Sequence, residues 1–316
     1  MTPLRFRADG TFTIAQFTDL HVTECGAADE KTRDLVGRVL DAERPDLAAL
    51  TGDVIYGYGS QDPEAAWRMA VAPLEARGIP WAAVFGNHDD EGALKRRALY
   101  DLQKTFPGCR TEAGPETLPG IGTYVLSVGA RNGGGAGALL YFIDSGSYAP
   151  KPAGSKDTAY AWIAPEQIAW YLERAATLSA GQSAPLPALA FFHIPVPEYD
   201  TVWETRPCRG VKYEAVCCPK HNSGFFAALR RGGDVLGTFV GHDHINDYDG
   251  ELDGIRLCYG RGTGHNTYGK DGFPRGARLI RLREGVRAFE SWLRLDDGAV
   301  VTEQPLHAPA GAVLSV

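Results

Sequence analysis

The sequence predicts an α/β fold on three observations. Short apolar runs alternate with helical stretches through about the first hundred residues, several of the runs end in aspartate or histidine, and glycine or proline stands at many of the joints. Phe12 to Phe17 alternates as a strand does. From Asp29 to Glu43, Leu35, Val36, Val39 and Leu40 fall on one helical face. Leu47 to Thr51 is a second strand. Asp62 and Pro63 supply an N-cap and a first-turn proline for a helix with Trp67, Ala70, Val71 and Leu74 as its stripe, closed by Gly78. Trp81 to Phe85 is a third strand and Ala93 to Thr105 a third helix. This order implies a largely parallel sheet covered by helices.

The pattern then changes. Thr123 to Val128 and Leu139 to Ile143 read as strands joined through the turn Asn132 to Gly137, Pro165 opens a helix to about Leu178, and Ala188 to Phe192 is a buried strand. Asn222 is placed as the cap of a short helix ending at Arg231. Val235 to Val240, Ile255 to Tyr259, Ala277 to Leu282 and Val286 to Leu295 follow as strands with little helix between them, so a mixed or antiparallel sheet is expected there. With no linker in view, residues 1–302 are read as one domain and 303–316 as a tail, in which His307 is expected to be exposed.

Composition narrows the function classes. Of 316 residues, 44% are hydrophobic and 22% charged, ordinary for a globular chain. Lys plus Arg number 32 against 39 Asp plus Glu, a net charge of −7 without a basic run, which argues against a nucleic-acid duplex as partner. The most apolar stretch, Leu186 to Val196, is short and cut by Pro187 and Pro195, so no membrane partner is expected. The first residues lack the pattern of a secretory signal, and a cytoplasmic location is expected. Of the cysteines Cys25, Cys109, Cys208, Cys217, Cys218 and Cys258, all are expected to be reduced. Cys208, Cys217, Cys218 and His221 lie close together in sequence and admit two readings, a loop with free thiols or a structural zinc site.

Five strands end alike. FTDLH places Asp19 and His21 two apart; TGD ends in Asp53; GNHDD carries Asn87 and His88; FFH ends in His193; GHDH carries His242 and His244. Ligands of α/β sheets bind outside the carboxyl ends of strands. Eight metal-capable side chains on one rim are poor core residues, since burying each unpaired would cost several kcal/mol. Residues i and i+2 share a strand face and can reach one ion. Glycines before Asp53, Asn87 and His242 let the backbone approach closely, and Asp53 can bridge two cations. Nitrogen and oxygen ligands without thiolate suit Fe, Mn or Zn.

In this order, DLH, GD, GNHD, a lone histidine and GHDH resemble the calcineurin-like metallophosphoesterase superfamily. FTDLHV, LTGDVIYG, FGNHDDE, FFHIPVPEY, NSGFF, VGHDHINDY, LCYG and YGKDGFPRGAR resemble the branch of plant purple-acid-phosphatase-like proteins and yeast Dcr2-type phosphatases. The resemblance implies a four-layer α/β/β/α sandwich of mixed sheets flanked by helices. It implies Asp19, His21, Asp53 and His244 as ligands of a first metal, Asp53, Asn87, His193 and His242 as ligands of a second, and His88 as the catalytic histidine that stabilises or protonates the leaving oxygen. Purple acid phosphatases proper lack a histidine at the position of His21 and carry a tyrosine at that of Tyr56; this chain has both. His21 is taken as the ligand and Tyr56 as an aromatic facing the site, so no purple Fe(III) centre is expected. Protein Ser/Thr phosphatases orient their histidine with an aspartate at the Tyr56 offset; here Asp89, Asp90 and Glu91 are the local candidates.

Arg261 is a candidate to hold a substrate phosphate, and His265 and Tyr268 are candidates to line the cleft. Glu198, Tyr199, Asn246, Asp247 and Tyr248 are expected to support the ligand strands. The function read from all this is a dinuclear metal phosphoesterase, in which a metal-bridging hydroxide hydrolyses a phosphomonoester of a small molecule or phosphoprotein. The alternatives are a phosphodiesterase acting on cyclic nucleotides or related diesters, and a non-catalytic scaffold of the same fold.

Overall fold

The computed structural model describes residues 3–24, 26–150, 159–181 and 184–309; Cys25 and the end of the tail lie outside them. The chain runs β1 (Thr11–Phe17), α1 (Ala27–Glu43), β2 (Leu47–Thr51), α2 (Pro63–Ala76), β3 (Trp81–Val84), α3 (Arg96–Gln103), β4 (Tyr124–Gly129), β5 (Ala136–Phe142), α4 (Pro165–Ser179) and β6 (Ala188–Phe191). It continues through α5 (Glu198–Thr205), β7 (Cys208–Arg209), α6 (Phe225–Gly232), β8 (Val235–Val240), β9 (Asp249–Leu252), β10 (Ile255–Tyr259), β11 (Gly276–Arg283), β12 (Phe289–Leu295), β13 (Val300–Val301) and β14 (Leu306–His307).

Two mixed sheets result, ordered β13-β12-β11-β1-β2-β3 and β14-β7-β9-β10-β8-β6-β5-β4. Parallel pairs β1–β2 and β2–β3 form the centre of the first sheet. β5, β6, β8 and β10 run parallel in the second. Three apolar interfaces hold the layers. Leu35, Val36, Val39, Leu40, Trp67 and Leu74 of α1 and α2 pack on the outer face of the first sheet. Phe12, Ile14, Leu47 and Val84 meet Leu140, Phe142, Phe191 and Phe239 between the sheets. Trp170, Tyr171, Phe225 and Leu229 of α4 and α6 cover the second sheet. The expected four-layer arrangement is therefore present. Burying each large apolar side chain contributes about 1.5–3 kcal/mol, and the glycine- and aspartate-bearing strand ends lie at the margin of this packing.

Several details differ from the sequence reading. β1 is buried along its whole length, because one face meets the helices and the other the second sheet, so its alternation does not mark a solvent face. The strand β11 leaves the C-terminal series and pairs antiparallel with β1. The helix read from Ala93 starts at Arg96 instead, since the preceding residues wrap around the site with His88 O accepting from Gly57 N. Asn222 is not the cap of α6; Gly224, at φ 80°, holds that position, and Asn222 Oδ1 accepts from its N–H. The helix α5 went unread between prolines. His307 is not exposed: its ring stacks on Trp203 at 3.8 Å, and β14 pairs with β7. Among the described residues no helix is long and apolar enough to cross a membrane.

Candidate metal centre

The rim is built by strands that stop abruptly. Asp19 follows β1, Asp53 follows β2, Asn87 follows β3, His193 follows β6, and His242 and His244 follow β8. Asp19 (φ 53°), His21 (φ 49°), Asp53 (φ 49°) and His242 (φ 77°) all lie in the left-handed region, which costs a non-glycine residue of the order of 1 kcal/mol or more. That strain turns the chain off the sheet and aims the side chains inward. At Gly86 a Cβ would collide with the Asp53 carboxylate and backbone, so the third strand can pass beside Asp53 only as glycine.

Two groups of ligand atoms gather, each within 4.8 Å: Asp19, His21, Asp53 and His244, and Asp53, His193 and His242. Asp53 stands in both, with Oδ2 3.1 Å from His193 Nε2 and 3.6 Å from His21 Nε2. Asp19 Oδ1 lies 3.5 Å from His244 Nε2. Every one of these residues is buried. Thr18 Oγ donates to Asp19 Oδ2, and Asp53 Oδ1 accepts from His88 N at 2.8 Å. His193 Nδ1 faces the Thr51 carbonyl at 2.8 Å, which places a proton on Nδ1 and turns Nε2 toward Asp53, where it can ligate a cation.

The donor set suits a cation. Burial pushes His21 and His242 down to about 3, so both rings are neutral and able to ligate. Burial acts against ionised Asp53 and Asp19, yet neighbouring histidines outweigh it: His193 holds Asp53 well below the carboxylate range, and His244 holds Asp19 down to about 2. His21 Nε2 meets His244 Nε2 at 3.3 Å, and His242 Nδ1 meets His193 Nε2 at 3.3 Å. Asp53 Oδ2, Asn87 Oδ1 and His242 Nε2 are buried without a hydrogen-bond partner. Orphaned acceptors of this kind cost about 1–3 kcal/mol each, and more for a charged group. Metal ions would satisfy them, so the residues fit a metal centre.

Beside the rim stands His88. Its Nδ1 meets Glu91 Oε2 at 2.7 Å, so of the three carboxylates considered for orienting it, Glu91 makes the contact. Asp89 is buried and instead accepts from the N–H groups of Asp53, Ile55 and Gly86 at 3.0, 2.9 and 2.7 Å. Asp90 pairs with Arg96 at 3.2 Å.

A family model described as calcineurin-like phosphoesterase matches residues 12–246. The chain belongs to the calcineurin-like phosphoesterase family. Over 335 residues it is 35% identical to probable inactive purple acid phosphatase 29 of Arabidopsis thaliana, spanning 93% of this chain and 85% of that protein. It is 36% identical over 320 residues to phosphatase DCR2 of Saccharomyces cerevisiae, spanning 91% of this chain but 54% of the yeast protein. Two solved structures share the fold: purple acid phosphatase PPD1 of yellow lupin (TM-score 0.58, 12% identity, covering 100% of this chain and 58% of that one) and a dimetal phosphatase of Danio rerio (TM-score 0.57, 16% identity, covering 93% and 99%). The family binds a dinuclear metal centre, and this chain has a cluster of possible ligands for one.

The remaining residues divide. Tyr56 faces the cluster, its ring 6.0 Å from that of His21 and 5.5 Å from that of His88. Tyr268 stacks on His244 at 4.2 Å and donates to Glu214. Arg261 is not a free arm: it is buried, pairs with Asp247, donates to the Pro274 carbonyl at 2.7 Å and lies over the Phe273 ring. His265 pairs with Asp296 at 3.5 Å and is not among the gathered ligand atoms. Cys208 is buried in the second core, and His221 stacks on Trp162 at 4.7 Å. Among the described residues the cysteine cluster does not bring three ligand atoms together; only the rim does. Tyr199 and Tyr248 are core residues, the latter donating to the Tyr199 carbonyl.

Sequence reasoning missed two tyrosines. Tyr148 OH accepts from Asn87 Nδ2 at 2.9 Å, and the Tyr160 ring meets His242 edge-on at 4.4 Å. Neither belongs to a spaced motif.

Proposed function

We propose that this chain is a dinuclear metal-dependent phosphoesterase that hydrolyses phosphomonoesters of small molecules or phosphoproteins. The observation that carries this reading is the coexistence of a complete ligand rim, with three orphaned buried acceptors, and a histidine beside it held by a carboxylate. Asp19, His21, Asp53 and His244 would hold one ion, and Asp53, Asn87, His193 and His242 the other. When bound, the ions supply charge for the phosphoryl oxygens and an activated water for in-line displacement. His88 has its Nδ1 proton committed to Glu91, which leaves Nε2 as the atom that hands a proton to the leaving oxygen. Burial lowers the affinity of His88 for that proton, but the Asp53 carboxylate and the Glu91 hydrogen bond outweigh it and hold the ring above its ordinary value. The ring therefore holds its proton more readily than an ordinary imidazole does. Thr18, Thr51 and Asp89 fix the carboxylates and imidazoles in place, so little reorganisation accompanies the reaction.

The Arabidopsis relatives carry the word inactive in their names, and the yeast relative is called a phosphatase. The present chain retains every rim residue together with His88, which favours activity. The test is turnover of p-nitrophenyl phosphate and bis-p-nitrophenyl phosphate by protein reconstituted with Mn, Zn or Fe. Faster monoester hydrolysis is expected. Preference for the diester would make the chain a phosphodiesterase, and two bound ions without turnover of either ester would make it a scaffold.

A further inference from the structure

One side chain touches both halves of the chemistry. Tyr148 follows β5 and is held by a short antiparallel pairing in which Ala149 N donates to Ala159 O at 2.8 Å and Ala161 N to Ser147 O at 3.0 Å. Its ring stacks on Tyr160 at 5.9 Å, and the Tyr160 ring in turn meets His242. Its hydroxyl accepts from Asn87 Nδ2 at 2.9 Å and donates to Glu91 Oε1 at 2.9 Å. The other oxygen of Glu91 meets His88 Nδ1 at 2.7 Å. The order of donors is fixed throughout: the Asn87 amide to the phenol, the phenol to one carboxylate oxygen, the His88 ring to the other.

We propose that Tyr148 is a positioning residue that sets the Asn87 carboxamide and the His88 imidazole together, through one hydroxyl. For Asn87 the phenol oxygen selects the amide orientation. With Nδ2 bound to Tyr148, Oδ1 is the atom left buried without a hydrogen-bond partner and available to a cation. An amide flipped the other way would present N–H groups, which cannot ligate. For His88 the phenol anchors Glu91, a side chain three residues along the same loop that would otherwise be free to swing. A carboxylate tied at one oxygen holds the imidazole proton on Nδ1 with the other.

The inference rests on the two-metal reading for its kinetic arm, and two further measurements do not. Tyr148→Phe keeps the ring and its stacking while removing the hydroxyl. In a Mn²⁺ or Zn²⁺ titration by calorimetry, the variant should weaken one of two sites by roughly 10–100-fold, the effect typical of losing a ligand's supporting partner. Glu91→Gln should leave both sites unchanged. In the ¹⁵N-histidine spectrum, with His88 assigned by its loss in His88→Asn, the Nδ1–H resonance should shift and exchange faster with water in Tyr148→Phe. At saturating metal, Tyr148→Phe should lower kcat in the wild-type background and have no further effect in His88→Asn. Unchanged metal affinity with an unchanged His88 resonance would overturn the proposal, as would full additivity of the two substitutions in kcat. A protein that binds and loses metal as described yet turns over no phosphoester would fail the proposed function and leave the positioning role standing.

Discussion

The two halves of the rim are held by different means. Around the first candidate site, Asp19, His21 and Asp53 are set by left-handed backbone; Thr18 lies in the same strand-end block as Asp19, and Asp89 reaches Asp53 N from the next strand end. Around the second, Asp53 and His242 share that left-handed backbone, but Asn87 and His193 do not, and their side chains are aimed by distant partners. Asn87 meets Tyr148 across 61 residues of sequence, and His193 meets the Thr51 carbonyl across 142. Both sites draw ligands from both sheets and need them docked, but Asn87 and His193 depend in addition on partners that orient their side chains. The two should therefore respond differently to substitution.

The widest effect should come from the residue the sites share. Asp53→Asn removes the charge between them, and both ions should be lost or greatly weakened, with activity falling to background. Elemental analysis of the purified variant checks this. Retention of two equivalents would show that Asp53 does not join the sites, and retention of one would show that one site stands without it.

His88 lies next to the second site without being counted among its ligands. His88→Asn should keep both ions and lower kcat by roughly 10²–10⁴-fold, the range of general acid catalysis. The loss should be small for p-nitrophenyl phosphate, whose leaving group needs no proton, and large for alkyl phosphates. An equal loss on both would place His88 on the phosphoryl oxygens instead.

The contrast also explains what was legible in the sequence. Asp-x-His, Gly-Asp, Gly-Asn-His and His-x-His are short-range because their geometry is a property of a strand end, and the apolar periods of α1, α2 and β2 are short-range in the same way. Glu91 could be named as one of three candidates beside His88, but the choice among them depends on where the loop before α3 folds back. Tyr148 and Tyr160 gave no signal, since a tyrosine in a loop is aimed only by the pairing around it. Arg261 was misread for the complementary reason: its partners Asp247 and Pro274 come from separate segments, and an arginine after a strand end looks free until they are brought to it. The transfer of β11 to the first sheet was equally hidden, because nothing in an apolar run names its neighbour.

Asp89 tests the claim that backbone fixes the first site. Its carboxylate accepts three N–H groups, including that of Asp53. Asp89→Asn would turn an amide N–H toward one of those donors and leave it unmet, at about 1–3 kcal/mol. The expected result is a fall in Tm of roughly 2–8 °C, with weaker metal binding that begins at the first site. An unchanged Tm would mean that the left-handed turn at Asp53 holds without the clamp.

Tyr56 should matter least, and its small effect sharpens the comparison most directly. The tyrosine faces the first site at the offset where purple acid phosphatases carry a phenolate ligand, yet His21 already stands among the gathered ligand atoms with Asp19, Asp53 and His244. A phenolate there would crowd a group whose atoms already lie within 4.8 Å of one another. The Tyr56 ring instead stands 6.0 Å from His21 and edge-on to His88, a wall rather than a ligand. Tyr56→Phe should leave metal stoichiometry unchanged and alter KM by no more than a few-fold, since an aromatic contact of this kind contributes about 0.5–1.5 kcal/mol and phenylalanine retains most of it. Iron-loaded wild-type protein should show no intense visible charge-transfer band. A strong band that disappears in Tyr56→Phe would put the phenol in the first site, displace His21 from it, and make that half of the rim depend on a side chain rather than on its backbone.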